Sequence, residues 1–274
     1  MTGNSSTVFF DLDGVLVSNK FFTTYYLDKV LEKLREINII MDRNEILQKI
    51  FNLFNMMLIS DDKNERVKAF DWDELVRILF NKYKLEWPDN IKEFYESPLL
   101  KDYVFLYSDA KNILEWLASK GYPMALISNG LAKYQTKVLE ILNIDTYFEN
   151  IILPDHVNEI KPSPEIFKYA LSKCLKNPDE KNTDCIYVGD SLYFDVYGAN
   201  LCGLKSILLV RSLNIKFKKL SIDERTLKFN ENKYFFKFMK KDLILGRFNL
   251  DKINVNLLRP DKVICSLNEL KEIL

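Results

Sequence analysis

The chain has 274 residues, 47% of them hydrophobic and 28% charged, the balance of an ordinary globular protein, which excludes a disordered or fibrous chain. Thirty-nine basic residues against 39 acidic ones cancel, so no whole-chain field points to nucleic acid or to an anionic membrane. The length suits two domains, or one core with a large insertion. Cys174, Cys185, Cys202 and Cys265 form no C-x-x-C pair, and His156 is the single histidine, so a familiar zinc site is ruled out and the thiols read as reduced and mostly buried. No apolar run has bilayer length, and the short polar stretch before Thr7 leaves no room for a signal peptide; a cytoplasmic location without a membrane partner is expected.

In chain order, Thr7-Val8-Phe9-Phe10 reads as a buried strand that ends in Asp11-Leu12-Asp13-Gly14. Taken alone this is either a surface turn, since Asp and Gly are ordinary turn formers, or an acidic site at a strand end. Leu16 to Lys20 reads as irregular. Leu27, Val30, Leu31, Leu34 and Ile37, and then Ile46, Ile50, Phe51, Phe54, Met57 and Leu58, recur at helical spacing. A third helix starts near Asp71, its cap, with Glu74 three residues on and Trp72, Leu75, Val76, Leu79 and Tyr83 as its stripe; Pro88 closes it. No strand pattern appears between about residues 20 and 100, which predicts an inserted all-helical module. Phe21, Phe22, Tyr25 and Tyr26 read mainly as packing, with a share in substrate contact left open.

The sheet pattern resumes after Ser108, which reads as a cap for the helix of Ala110, Ile113, Leu114 and Leu117 that Gly121 ends. Strands follow at Met124–Ile127, Ile151–Leu153, Cys185–Val188 and Ser206–Val210, separated by helices around Val138–Leu142, Ile166–Leu171 and Asp195–Leu201, with Gly203 closing the last. Pro164 suits a first helical turn, which leaves Lys161 just outside a helix start. The tail runs through Val263-Ile264-Cys265 into a helix at Leu267–Leu274. Strand and helix alternating through short links predict an α/β fold with a doubly wound parallel sheet.

The polar clusters all fall just after strands. Asp11, Asp13, Ser128, Asn129, Lys161, Asp190 and Asp195 are therefore expected on one carboxyl edge. Four acids gathered there repel unless a divalent cation relieves them, and oxygen donors suit Mg²⁺. Such a cation implies an anionic substrate, which Lys161, Ser128 and the amides after it would orient.

These segments resemble the four signature motifs of the haloacid dehalogenase (HAD) superfamily, in its phosphohydrolase branch. Asp11-Leu12-Asp13-Gly14-Val15 is similar to the first, Ile127-Ser128-Asn129 to the second, Lys161-Pro162 to the third, and Gly189-Asp190-Ser191 with Asp195 to the fourth. The resemblance implies a HAD-like, Rossmann-like core over 1–19 and 101–274 and a helical cap of the C1 type over 20–100. It also implies a phosphatase for a small phosphorylated metabolite, working through an aspartyl-phosphate on Asp11 with Asp13 as general acid and base. Mg²⁺ would be held by Asp11, the Asp13 position and Asp190, with Asp195 acting as a further ligand or through a bound water; Ser128, Asn129 and Lys161 would bind the phosphoryl group. Dehalogenases of this superfamily lack an acid at the Asp13 position, because a halide leaves without a proton whereas an alkoxide needs one, so Asp13 favours phosphate chemistry.

Two features depart from the pattern. Phe194 stands before Asp195 where many relatives have a polar residue. The section from about 212 to 258 is longer than the usual link, and Arg211–Leu258 carries 12 Lys and Arg against 5 Asp and Glu. Its run Tyr234-Phe235-Phe236-Lys237-Phe238 is compatible with a nucleic-acid or anionic-partner surface, but the preferred reading is a small β-rich insertion with a solvated basic face. It could also supply a dimer surface. The rival functions are a mutase of the β-phosphoglucomutase type, and a scaffold that binds through this section.

Overall fold

A computed structural model describes residues 6–86, 98–175, 184–244 and 253–274. The first strand, β1 (Val8–Phe10), is wholly buried, as its unbroken apolar run requires. It leads through the acidic turn to β2 (Val17–Asn19). A helical segment follows, comprising a π-helical turn at Phe22–Tyr26, α1 (Leu27–Glu36), α2 (Arg43–Leu58), α3 (Lys63–Lys68) and α4 (Trp72–Asn81). Asp71 caps α4 as expected, its side chain accepting from the Glu74 amide. The expected stop at Pro88 lies outside the described residues.

The chain returns through β3 (Val104–Leu106) and α5 (Ser108–Ser119) to β4 (Met124–Ile127), α6 (Ala132–Leu142), β5 (Asn150–Ile152), α7 (Pro164–Cys174) and β6 (Ile186–Gly189). A π-helical turn at Leu192–Tyr197 joins α8 (Gly198–Leu201), and β7 (Lys205–Leu209) comes next. After it lie α9 (Ile215–Lys218), α10 (Ile222–Asn230), α11 (Asn232–Ile244), β8 (Lys262–Ile264) and the terminal α12 (Leu270–Ile273).

Among the described residues six strands form one sheet in the order β5-β4-β1-β6-β7-β8, every pairing parallel. Alternate side chains feed the two faces: Val8 and Phe10 join one core with Leu126 and Val188, and Phe9 joins the other with Ala125, Phe167 and Tyr187. Strand β1 is central. Its neighbours β4 and β6 leave it in opposite directions, so the strand order reverses beside it and opens a crevice at its carboxyl end.

Four local expectations are corrected. Leu16–Lys20 is not irregular: β2 pairs antiparallel with β3, Val17 opposite Leu106 and Asn19 opposite Val104. Three residues show no period of their own, and the strand exists only through a partner remote in sequence. Ser108 is the first helical residue of α5 rather than its cap, which is Tyr107. The short α3 was not foreseen, because its KNERVK segment buries no side chain. Finally, the described part of the basic section, 212–244 and 253–258, carries helices and no strand. Ser221 and Glu224 form a reciprocal capping box at the start of α10, and Phe229, Phe235 and Met239 of α10 and α11 pack with Leu208 and Val263 against the sheet. Phe235 is fully buried there and Phe238 packs half-buried against the same cluster, while Phe236 and Lys237 are exposed, so the run is split between core and surface.

Candidate active site

Two carboxylates leave the carboxyl end of β1. The Asp11 amide donates to Val188 O of β6 at 2.9 Å, which extends the sheet one residue beyond the strand and points Asp11 into the crevice. Gly14 then turns the chain at φ +86°, where a Cβ would lie 2.2 Å from Asp190 Oδ2; both the backbone angle and the contact demand glycine. Arg211 secures the same turn, donating to Val15 O at 2.6 Å while it pairs with Asp109 of α5 at 2.9 Å.

Lys161 is the hub. Buried to 1% exposure, its Nζ donates to Asp11 Oδ1 at 2.7 Å, Asp195 Oδ1 at 2.7 Å and the Tyr187 hydroxyl at 2.8 Å. Burial pulls the ammonium down, but Asp11 and Asp195 outweigh it and hold the lysine above its ordinary value. Asn129 fixes the Lys161 backbone from both sides: its Oδ1 accepts from Lys161 N at 2.7 Å, and its Nδ2 donates to Lys161 O at 3.2 Å. The Asn129 side chain, expected on substrate, is thus engaged with the protein. Ser128 lies against the cavity with its Oγ accepting from Gly130 N at 3.1 Å.

Asp195, expected among the metal ligands, has both oxygens occupied by protein donors. Oδ1 accepts from Lys161 and, at 3.0 Å, from the Tyr187 hydroxyl; Oδ2 accepts from the amides of Asp190 at 3.0 Å and Ser191 at 2.9 Å. Its carboxylate therefore shapes the turn that carries Asp190 and orients Lys161. One oxygen each of Asp11, Asp190 and Asp195 nevertheless lies within 4.8 Å of the others. Burial holds the Asp11 carboxyl well above the usual carboxylate range; Lys161 opposes this, while Asp195 and Asp190 add to it.

Asp13 faces the same cavity from the other side of the turn. Its Oδ2 accepts from Gln135 Nε2 of α6 at 2.7 Å, and its Oδ1 is buried with no hydrogen-bond partner among the described residues. Burial raises its pKa, against the Gln135 hydrogen bond. A carboxyl that keeps its proton more readily than usual, with one oxygen uncommitted, is suited to deliver that proton.

The structure brings all seven expected residues, Asp11, Asp13, Ser128, Asn129, Lys161, Asp190 and Asp195, onto one cavity of about 470 Å³. Tyr187 and Gln135 were missed. Tyr187 looked like core within Cys185–Val188, though a tyrosine in an otherwise aliphatic buried strand carries a hydroxyl that needs a partner. Gln135 has no sequence signal beyond its place on the first turn of a helix that follows a polar strand end. The helical segment closes the other side of the cavity. It is tied to the core by Arg66–Glu159 at 3.1 Å and Lys133–Asp71 at 2.7 Å, and by the Tyr134 hydroxyl donating to Asp71 at 2.8 Å.

Comparison with known proteins agrees with this geometry. A family model described as a haloacid dehalogenase-like hydrolase matches residues 6–203, and the chain belongs to that family. It is a hydrolase with the HAD-like α/β fold. A glyceraldehyde 3-phosphate phosphatase of Pyrococcus furiosus is 30% identical over 200 residues, 73% of this chain and 78% of that protein. A phosphoglycolate phosphatase of Aquifex aeolicus is 28% identical over 202 residues, 73% of this chain and 83% of that one. Among solved structures, a HAD phosphatase from Thermococcus onnurineus superposes with a TM-score of 0.68 at 23% identity, covering 98% of this chain and 97% of that one. An L-2-haloacid dehalogenase from Xanthobacter autotrophicus gives 0.56 at 17% identity, with 98% and 97% covered. Fold alone does not choose between those chemistries.

Proposed function

We propose that the protein is a Mg²⁺-dependent phosphatase of small phosphomonoesters. The observation that carries the reading is the pair of carboxylates on one turn, Asp11 held by Lys161 and Asp13 held by Gln135 with an oxygen left over, both opening into one cavity. The names of the curated relatives support it, since they are phosphatases.

The donor set fits a hard divalent cation. Three carboxylates converge with Lys161 as the cation bound to two of them, and burial, with Asp195 and Asp190 close by, holds the Asp11 carboxyl above its usual range against the pull of Lys161. A nucleophile must be ionised, so a further positive charge is what the site lacks. Asp11 and Asp190, with the main chain at Asp13, would hold Mg²⁺, and Asp195 would support it through Asp190 and Lys161. When bound, the ion supplies charge to ionise Asp11 and to offset the phosphoryl oxygens.

Asp11 Oδ1 is committed to Lys161, so attack on phosphorus falls to Oδ2. The Asp11–phosphorus bond forms as the bond to the leaving oxygen breaks, and Asp13 delivers its proton to that oxygen. In the second half Asp13 takes a proton from water, the water oxygen attacks phosphorus, and Asp11 is released with inorganic phosphate. Lys161 and the Ser128 region neutralise and orient the phosphoryl oxygens. The helical segment acts as the cap over this site and shields it from bulk solvent. Phosphate release from a panel of phosphomonoesters with Mg²⁺ tests the reading: release abolished by Asp11→Asn supports it, and isomerised substrate without release points instead to a mutase.

A further inference from the structure

The cavity has two unlike halves. Its floor holds the acids and Lys161, whereas its roof and wall are rings: Phe22, Phe51, Phe54, Phe70, Trp72 and Phe194 all border it. Five of these rings each contact another of the set. Phe22 lies flat on Trp72 at 4.7 Å with 8° between the planes, Phe54 meets Phe70 edge-on at 5.2 Å, and Phe70 meets Phe194 at 5.9 Å. Phe194 is the residue that departs from the family pattern, and here it carries the aromatic wall from the helical segment down to the edge of the acidic cluster. Charge is distributed just as unevenly. Among the described residues the one cation that borders the cavity is Lys161, already bonded to Asp11, Asp195 and Tyr187. A substrate with a second anionic group, such as a carboxylate beyond the ester, would bury that charge against rings without a partner.

Resting on the phosphatase reading, we infer that the leaving alcohol is uncharged and carries an aromatic ring, which the Phe22–Trp72 and Phe70–Phe194 walls receive while the phosphate sits on the acidic floor. The apolar wall supplies the binding energy. It also keeps the ester oxygen near Asp13, whose proton the leaving alkoxide takes.

Non-hydrolysable phosphonates test this without turnover. Titrated calorimetrically into the Mg²⁺-loaded full chain, benzylphosphonate is expected to bind about tenfold or more tightly than methylphosphonate or phosphonoacetate, the order of effect for taking one ring out of water. Phe194→Ser is expected to shrink that preference severalfold while methylphosphonate affinity holds. Phe51→Ala, at a ring 42% exposed and so tolerant of truncation, gives the same readout if Phe194→Ser does not fold. Equal affinity for benzylphosphonate and methylphosphonate, or phosphonoacetate as the tightest of the three, overturns the inference. A retained benzyl preference with no phosphomonoester hydrolysed supports the aromatic pocket and removes the phosphatase reading instead.

Discussion

At the residue scale, the proposed function assigns the chemistry to Asp11 and Asp13 and leaves Lys161, Gln135 and Asn129 to hold groups in place. Asp13→Asn leaves the turn in place but removes the proton, so kcat on alkyl phosphates is expected to fall by about 10²–10⁴. On p-nitrophenyl phosphate, whose leaving group needs little protonation, the loss is expected to be far smaller; steady-state kinetics on the two esters makes the comparison. Gln135→Leu removes the hydrogen bond to Asp13 Oδ2 and is expected to lower kcat roughly tenfold, the order of one lost hydrogen bond, with KM little changed. Asp11, Asp13 and Asp190 drew attention in sequence because they follow apolar strand runs, the last two beside a glycine, and Lys161 because Pro162 and Pro164 mark a helix start after it. The hydrogen bonds of Asn129 to the Lys161 backbone and of Asp195 to the Asp190 and Ser191 amides were not legible there, because the same residue types serve equally to touch a ligand or to fix a neighbour.

At the scale of elements, two polar joints decide how the parts sit together. Arg66 on α3 meets Glu159 in the loop before Lys161, with Asn158 donating to Asn64 at 2.7 Å alongside. Glu159→Gln is expected to raise KM about two- to threefold, the worth of one part-exposed ion pair, with melting almost unchanged. The second joint is Asp109 at the start of α5, whose Oδ2 accepts from Arg211 and from the Ser266 hydroxyl and Leu267 amide, each at 2.9 Å. Burial raises its pKa, but these three donors outweigh it, so the carboxyl titrates below its ordinary value. A folded pKa below the unfolded value of about 3.9 means stability that is present above that pH and lost as pH falls through the folded value. Asp109→Asn is therefore expected to lower Tm at neutral pH and to flatten the acid arm of the Tm-versus-pH curve. Neither joint was visible in sequence, since both pair charges far apart along the chain. The long helices were visible, because α1, α2 and α4 repeat their apolar faces over several turns, whereas β2, β3 and α3 are too short to show a period.

At the scale of the whole molecule, the parallel sheet gathers the acids that follow β1 and β6 and the lysine of the loop after β5 into one charged cluster, which on the proposed function couples stability to metal. A cation bound only by the folded chain stabilises it by RT ln(1 + [L]/Kd), about 2.7 kcal/mol at a hundredfold excess over Kd. Mg²⁺ is expected to raise Tm by several degrees and EDTA to reverse the shift, with Asp190→Asn abolishing the response; calorimetric scans measure it. The alternation of strand and helix made this architecture readable. The basic section was misread because its sequence looks polar while its helices bury Phe229, Phe235 and Arg225, the last bonded to Glu269 at 2.7 Å. The β2–β3 pair has a consequence of a different kind. Because Asn19 stands opposite Val104, the chain leaves the sheet-bearing unit and re-enters it at neighbouring points. A whole helical segment can therefore be lengthened, shortened or exchanged at that junction while the sheet keeps its register and the acids their places. Phe22, Phe51, Phe54, Phe70 and Trp72 of the cavity wall thus sit on a piece of chain that can change while the acids of the floor stay where the sheet puts them.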